Sequence, residues 1–292
     1  MRIRKKSVAL GIFDGVHLGH RAVMKMTENS GVPAVFTFNN TSLHAKQGRS
    51  IEYIYTDEQK AALIRSLGIR KIFSRNFSDI RDMSGSEFAK NIIVRKLGAD
   101  SVACGRDFRF GRNASCGINE LVVLGREYGF EVRVAEDVLC NGSPVSSGRI
   151  RSLLSQGDVT AAAELLGRSY MISGRIVHGR QIGRTLDFPT VNQLFSEGQL
   201  VPRFGVYASS VIIDRRHYES VTNIGVKPTI EGERSPLAET HIIGFSGDLY
   251  GRELDVELRG FIRPEVKFNS LDELKEQISQ DISYRQHRTK HA

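Results

Sequence analysis

The stretch Gly11-Ile12-Phe13-Asp14-Gly15-Val16-His17-Leu18-Gly19-His20 decides how the first half of this chain is read. An apolar run of strand length, Val8–Phe13, leads into it, and a helical run, Arg21–Met26, follows. A strand-to-helix turn gathers backbone N–H groups and the positive end of a helix dipole at one point, which suits an anion. The glycines let the chain come close to a ligand. The stretch is not G-x-G-x-x-G, so a Rossmann dinucleotide site is not indicated. It also lacks the Gly-Lys-Ser/Thr of a P-loop. What remains is a pair of histidines three residues apart, His17 and His20. On one turn of helix that spacing puts both rings on the same side. Two imidazoles beside a helix N-terminus can donate hydrogen bonds to phosphate oxygens and offset developing charge, with no covalent intermediate. Gly11, Phe13, Asp14 and Gly15 are the accompanying candidates for holding a nucleotide phosphate.

Around this turn the first half alternates strand and helix signals. Val32–Phe38, Ser101–Cys104 and Glu131–Val134 are strand candidates. Thr56–Leu67 and Ser84–Leu97 have helical periodicity and open with the capping boxes Thr56-x-x-Gln59 and Ser84-x-x-Glu87. Glu120–Tyr128 reads as a further helix. The alternation predicts βαβ units and a parallel sheet. Two helical segments, Gly148–Gln156 and Asp158–Leu166, lead out of this half. After Gly167 the texture changes to strand-like runs, at Tyr170–Val177, Gly205–Ile213, Glu239–Phe245 and Leu254–Leu258, separated by Gly, Pro and Asp. Ser270-x-x-Glu273 caps a last helix, Leu271–Ser283. This half reads as an antiparallel barrel with a terminal helix. The boundary expected is 1–167 and 168–292.

Composition agrees with two globular domains. The 292 residues are 40% hydrophobic and 25% charged, too apolar for disorder as the main state. No apolar run approaches the ~18 residues of a membrane span. The basic start followed by Val8–Phe13 resembles a short signal peptide. The apolar run is too short for that, and no small-residue cleavage site follows. Three cysteines, Cys104, Cys116 and Cys140, lack C-x-x-C spacing and argue against disulfides and zinc, which suggests a reducing cytoplasm. The net charge of +8 raises the question of polyanions. Residues 1–167 hold 24 Lys and Arg against 17 Asp and Glu, and residues 168–292 hold 17 against 16. The excess belongs to the first half and is scattered there, which fits phosphorylated small molecules at least as well as a DNA groove.

The second half has its own phosphate-type segment, Gly174-Arg175-Ile176-Val177-His178-Gly179-Arg180-Gln181-Ile182-Gly183-Arg184. Its glycines, Gly179 and Gly183 among them, bring backbone close to phosphate, and Arg184 adds charge. Leu186-Asp187-Phe188-Pro189-Thr190-Val191-Asn192 follows. Thr190 and Asn192 are two neutral oxygen donors two residues apart, on one face of an extended segment. Mg²⁺ favours such ligands, with waters and substrate phosphates completing its shell. The same pattern also serves an Asx or Thr turn.

Both halves resemble one family. Gly11–His20 looks like the H-x-G-H signature of the nucleotidyltransferase superfamily, in the form used by bacterial FAD synthetases. Cys104-Gly105-Arg106-Asp107-Phe108-Arg109-Phe110-Gly111 is similar to that family's G-x-D/N-F-x-F-G segment, beside the flavin and nucleotide. Ser146-Ser147-Gly148-Arg149-Ile150-Arg151 resembles its S-S-T-x-x-R phosphate motif, with Gly148 in place of Thr. After Val32–Phe38 the family has an acidic residue and Pro-His-Pro, where this chain reads Asn39-Asn40-Thr41-Ser42. Further on, Gly183–Asn192 looks like the G-R-x-L-G-F-P-T-A-N signature of riboflavin kinases, with Asp187 for Gly and Val191 for Ala. Asn223–Thr229 is similar to their N-I-G-x-x-P-T loop, and Glu239-Thr240-His241 with Gly247–Gly251 to their E-T-H…G-D-x-Y-G run.

The resemblance covers nearly the whole chain and implies a bifunctional bacterial riboflavin kinase/FAD synthetase. The fold implied is an α/β nucleotidyltransferase domain with a Rossmann-like parallel sheet, followed by an antiparallel β-barrel riboflavin kinase domain with a C-terminal helix. The second domain would phosphorylate riboflavin to FMN, with Glu239 as general base and Mg²⁺ held through Thr190 and Asn192. The first would join FMN to AMP from a second ATP, releasing pyrophosphate. There His17 and His20 would be catalytic, Ser146, Ser147 and Arg151 would hold phosphate, and Asn39, Asp107 and Phe108 would face the flavin. Asn223 would face the flavin of the kinase site. The partners implied are riboflavin, FMN, FAD and ATP, in a cytoplasmic monomer or weak homo-oligomer with no membrane and no nucleic acid. Three alternatives stand beside this reading. One of the two activities is weak or lost; a different adenylyl- or cytidylyltransferase is fused to an unrelated barrel; or a flavin- or nucleotide-responsive protein binds nucleic acid through its basic half.

Overall fold

The computed structural model describes residues 5–28, 31–43, 52–178, 188–228 and 234–289. The chain divides into two compact units, Met1–Ser147 and Gly148–Ala292.

The first unit runs β1 (Lys6–Leu10), α1 (Leu18–Lys25), β2 (Val32–Phe38), α2 (Asn40–Leu43), α3 (Asp57–Ser66), β3 (Lys71–Arg75), α4 (Gly85–Glu87), β4 (Ser101–Gly105), α5 (Ile118–Tyr128) and β5 (Glu131–Ala135). The five strands form one parallel sheet in the order β3-β2-β1-β4-β5. Strand order reverses between β1 and β4. In an open parallel sheet that is the point where a crevice opens beyond the carboxyl ends of the strands. The central strands are continuously apolar because both faces are covered. Val8, Ala9 and Leu10 of β1 and Ala34 and Val35 of β2 are buried. Both expected capping boxes form, Thr56 with Gln59 and Ser84 with Glu87. The Ser84 backbone N–H and hydroxyl hold the Glu87 carboxyl below its ordinary range. Several elements differ from the sequence reading, among them the unexpected short helix α2 and an α1 that begins at Leu18. The helix opened by Ser84 continues as a π-helix over Phe88–Leu97. Strand β3 escaped notice because KIFSR sits at the sheet edge, exposed or half-buried, without a clean alternation.

A two-residue hairpin follows, β6 (Leu139–Cys140) with β7 (Ser143–Pro144), and then α6 (Ser147–Gln156) and α7 (Val159–Leu166). Gly167 ends α7 in the left-handed conformation at φ 67°. The second unit contains β8 (Tyr170–Arg175), β9 (Thr190–Leu194), β10 (Gly205–Ile213), β11 (Arg216–Pro228), β12 (Arg234–Ile242), β13 (Glu253–Arg263) and α8 (Leu271–Thr289). Its six strands form an antiparallel sheet in the order β8-β13-β10-β11-β12-β9. The sheet curls until its edges meet. Val177 N–H donates to the Asn192 carbonyl at 2.9 Å, and the Gln193 side chain donates to the Gly174 carbonyl at 2.9 Å. Among the interior side chains, the fully buried hydroxyls of Ser209, Ser220, Thr222 and Thr240 bond to one another at 2.7–2.9 Å. Helix α8 packs on β10 and β11, and Arg263 clamps the buried carboxylate of Asp281 on that helix at 2.8–3.2 Å.

Here too the strands depart from expectation. Asn223–Pro228, read as part of a loop, lies inside β11, and Glu239, placed at a strand end, lies inside β12. Strand β11 was not expected at all, and β12 begins at Arg234 instead of Glu239, where Pro236 argued against a strand. The last helix also runs on from Ser283 to Thr289.

Candidate active sites

The Gly11–His20 turn is tightly folded. Phe13, Gly15 and Val16 all take positive φ, at 56°, 83° and 43°. For Phe13 and Val16 this is strained backbone, costing on the order of 1–3 kcal/mol each and typical of functional loops. Several contacts enforce it. Asp14 is buried, and its carboxylate accepts the Ile54 N–H at 2.8 Å. Its carbonyl accepts the Ser147 hydroxyl at 2.8 Å. The Thr37 hydroxyl donates to the Ile12 carbonyl at 2.7 Å. Gly11 leaves room for the Phe13 ring, which a Cβ would meet at 2.9 Å.

The turn delivers His17 as the N-cap of α1. Its Nδ1 accepts the His20 N–H at 3.3 Å, so its proton sits on Nε2, which is thereby a donor. The His17 and His20 rings stack at 3.5 Å and 19°, and Phe13 meets His20 edge-on at 5.3 Å. Gly19 permits this stack. A Cβ there would lie 3.2 Å from the His17 ring.

Other first-half candidates follow the carboxyl ends of strands in the same sheet. Asn39 follows β2, Asp107 and Phe108 follow β4, and Ser147 is tied to Asp14. Asp107 is exposed. Phe108 stacks on Phe110 at 5.7 Å and packs against the core. The Asn39 amide donates to Asn76 at 2.8 Å and accepts from the Ser74 hydroxyl, so it is held within this rim. Arg151 lies on α6, four residues after Ser147, and Ser146 immediately precedes that helix. Cys104, fully buried at the end of β4, has its thiol pushed up to about 11 by burial and by Asp107.

The second-half candidates come from three neighbouring strands. In register, Asn223 of β11 faces Glu239 of β12, and Glu239 faces Asn192 of β9. Thr190 faces His241 in the parallel row. With the two-residue repeat of a strand, all five side chains share one face, and directly opposed Cβ atoms are about 5 Å apart. His241 Nδ1 lies 2.9 Å from the Pro189 carbonyl, and Phe188 meets its ring edge-on at 5.4 Å. Asn192 is 4% exposed, and its Oδ1 is buried with no hydrogen-bond partner among the described residues. Such an orphaned oxygen costs ~1–3 kcal/mol unless something ligates it. Gly179, Gly183 and Arg184 lie outside the described residues. His178 stacks on Tyr250 of the G-D-L-Y-G run at 3.8 Å.

Sequence reasoning missed two charged side chains that lie against these candidates. Glu265, after β13, accepts the Asn223 side-chain N–H at 3.3 Å and presses on Gly225, where a Cβ would fall 2.1 Å from its carboxylate. Lys60 of α3 is buried beneath the rim at Asn39. No motif flagged either, because each acts across a long sequence separation.

The structure thus holds a histidine pair at a strand-to-helix turn and, in the other unit, a carboxylate beside neutral oxygen donors on a barrel face, both arrangements that suit phosphate-group transfer. The FAD synthetase family model matches residues 1–149 and the riboflavin kinase family model residues 166–288. The bifunctional riboflavin kinase/FMN adenylyltransferase of Pseudomonas fluorescens is 35% identical over 285 residues, covering 94% of this chain and 90% of that protein. Its counterpart in Escherichia coli K12 is 34% identical over 292 residues, with the same coverage. A crystal structure from Streptococcus pneumoniae, described as a macrolide-efflux protein, superposes with TM-score 0.85. It is 26% identical and spans 97% of this chain and 94% of that one. The chain belongs to the family of bifunctional riboflavin kinase/FMN adenylyltransferases, with the FMN adenylyltransferase first and the riboflavin kinase second. That sets aside a different nucleotidyltransferase fused to an unrelated barrel. No helix among the described residues is long and apolar enough to cross a membrane.

Proposed function

We propose that His17 and His20 stabilise the charge that develops when the FMN phosphate attacks the α-phosphorus of ATP. The stacked imidazoles at the start of α1 carry this reading, with the strained turn placing them beside the N-terminal amides. Gly11, Phe13, Asp14 and Gly15 shape the turn. Ser146, Ser147 and Arg151 supply hydroxyls and a guanidinium for phosphate. Asn39, Asp107 and Phe108 line the flavin side.

In the second unit Glu239 takes the proton of the ribityl 5′-hydroxyl as its oxygen attacks the γ-phosphorus of ATP. The register row Asn223–Glu239–Asn192 supports this, because it puts the carboxylate beside the two oxygen donors and the Asn223 amide. Thr190 and Asn192 suit Mg²⁺, on the evidence of the orphaned Asn192 oxygen. Bound there with ATP, the ion supplies neutralisation of phosphate charge. Gly179, Gly183 and Arg184 complete the phosphate side, and Asn223 faces the flavin. Glu239 and Asn192 hold fixed positions on rigid strands, which suits a reaction that depends on positioning and charge.

The functional domains are proposed as 1–167 and 168–292. Helix α7 joins them and packs on β8 and β13, so a kinase fragment that keeps α7 is the more stable one. The protein works in the cytoplasm as a monomer or weak homo-oligomer, on riboflavin, FMN and ATP and not on nucleic acid. Incubation with riboflavin, ATP and Mg²⁺, with chromatographic separation of riboflavin, FMN and FAD, tests the whole reading. Accumulation of FMN without FAD would show that the adenylyl step is weak or lost. Micromolar, salt-dependent binding to random DNA would revive the nucleic-acid alternative.

A further inference from the structure

After β2 the chain reads Asn39-Asn40, and a buried lysine lies beneath them. Lys60 of α3 is 3% exposed. Its ammonium donates to Asn40 Oδ1 at 2.7 Å and to the Phe38 carbonyl at 2.8 Å, and pairs with Asp57 Oδ1 at 2.9 Å. Its three donors thus meet three acceptors. Asp57 in turn accepts the Asn40 backbone N–H at 3.0 Å. The Asn40 side chain donates to the Tyr55 carbonyl at 2.9 Å. Next to Tyr55, Ile54 donates its N–H to Asp14 of the histidine-bearing turn, and its side chain packs where a Cβ on Gly15 would fall, at 2.8 Å. Ile54 and Tyr55 are both fully buried.

The result is one fastened strap. It runs from Asp14 through Ile54 and Tyr55 to Asn40, and ends on Lys60 and Asp57. The Lys60–Asp57 pair, with the Asp57 side chain 35% exposed, adds little stability by itself. Hydrogen bonds that satisfy a buried ammonium are, however, an effective way to hold one geometry. Here it grips the carbonyl of Phe38, the last residue of β2, one residue before Asn39. We propose that Lys60 is a positioning residue for FMN adenylylation. Through Phe38 and Asn40 it sets the rim at the end of β2 in register with the His17–His20 turn. The proposal rests on the reading above that this rim faces FMN.

The test uses the full chain, with FAD formation measured at varied FMN and varied ATP. Lys60→Met keeps the length and apolar stem and removes the charge. It should raise KM for FMN on the order of tenfold or more, because ångström-scale misplacement of a substrate wall has effects of that size. KM for ATP should stay within about twofold, as expected when only one wall of the site moves. Riboflavin phosphorylation by the same chain should be unchanged. Asn40→Asp keeps an acceptor for Lys60 and loses the donor to Tyr55. It should shift KM for FMN in the same direction by less, and it carries the test if Lys60→Met does not fold. An unchanged KM for FMN in a folded variant, or equal rises for FMN and ATP, would overturn the proposal. A wild-type chain that forms no FAD from FMN would overturn the reading of the site, and the proposal with it.

Discussion

The two sites are assembled in opposite ways. In the first unit the histidines, the glycines and the strained backbone belong to ten consecutive residues, and the sheet serves to hold one turn. In the second, Asn223, Glu239 and Asn192 are scattered along the chain and meet only because three antiparallel strands pair in one register. A contiguous site depends on local backbone geometry, whereas a register site depends on the whole barrel. Damage to one should therefore leave the other working, and each should fail in its own manner.

The largest expected effect is at the register site. Glu239→Gln keeps the shape of the side chain but cannot take a proton. Riboflavin phosphorylation should fall 10²–10⁴-fold in kcat with little change in KM, the range for loss of a general base. FAD formation from supplied FMN should be unaffected. Unaltered riboflavin turnover would remove Glu239 from the mechanism. Asn192→Ala should act at the same face, raising KM for ATP chiefly when Mg²⁺ is present.

At the contiguous site, His17→Ala and His20→Ala should each lower FAD formation by ~10²-fold or more, the scale for a lost transition-state donor. Riboflavin phosphorylation is the internal control. Gly19→Ala sharpens the point, since a Cβ 3.2 Å from the His17 ring pushes that ring by a few tenths of an ångström while sparing the fold. A several-fold loss at unchanged melting temperature is expected, of the order of ~1 kcal/mol in the barrier. If all three variants make FAD at the normal rate, the histidine pair is structural.

The independence of the two regions can be broken by cutting the chain. Residues 168–292 should phosphorylate riboflavin alone, and residues 1–167 should carry the FMN-to-FAD step. A fragment beginning at Gly148 should melt several degrees higher than one beginning at Arg168. It keeps the buried Val159, Ala162, Leu165 and Leu166 of α7, and large apolar side chains contribute roughly 1.5–3 kcal/mol each when buried. Loss of kinase activity in both well-folded fragments would mean that the kinase site needs the first unit.

The smallest effect separates the thiols. Cys104 is buried in the first unit, with its thiol raised from 9.0 to about 11, so alkylation at pH 8 should spare it and label the half-buried Cys116 and Cys140. Because the folded value is the higher one, the folded state keeps this proton where the unfolded chain has lost it. The contribution to stability is therefore whole below pH 9 and disappears as pH rises toward 11, at most ~2–3 kcal/mol. Rapid labelling of Cys104 at pH 8 would show that the end of β4 opens readily.

The sequence alone was enough to reveal the histidine turn, both capping boxes, the parallel sheet, the barrel and the order of the two activities. The structural features among these rest on residues close together in the chain, where spacing maps directly onto geometry, and the order of the two activities came from the resemblance of their motifs to one family. The pattern P-T-x-N likewise put Thr190 and Asn192 on one face, because a strand repeats every two residues. Tertiary structure decided what lies across sequence distance. It put Glu239 inside β12, between Asn223 and Asn192. It also brought Glu265 onto Gly225, and buried Lys60 under Asn40. Cross-strand register and the partners of a buried charge come from packing between distant segments, and no local spacing encodes them.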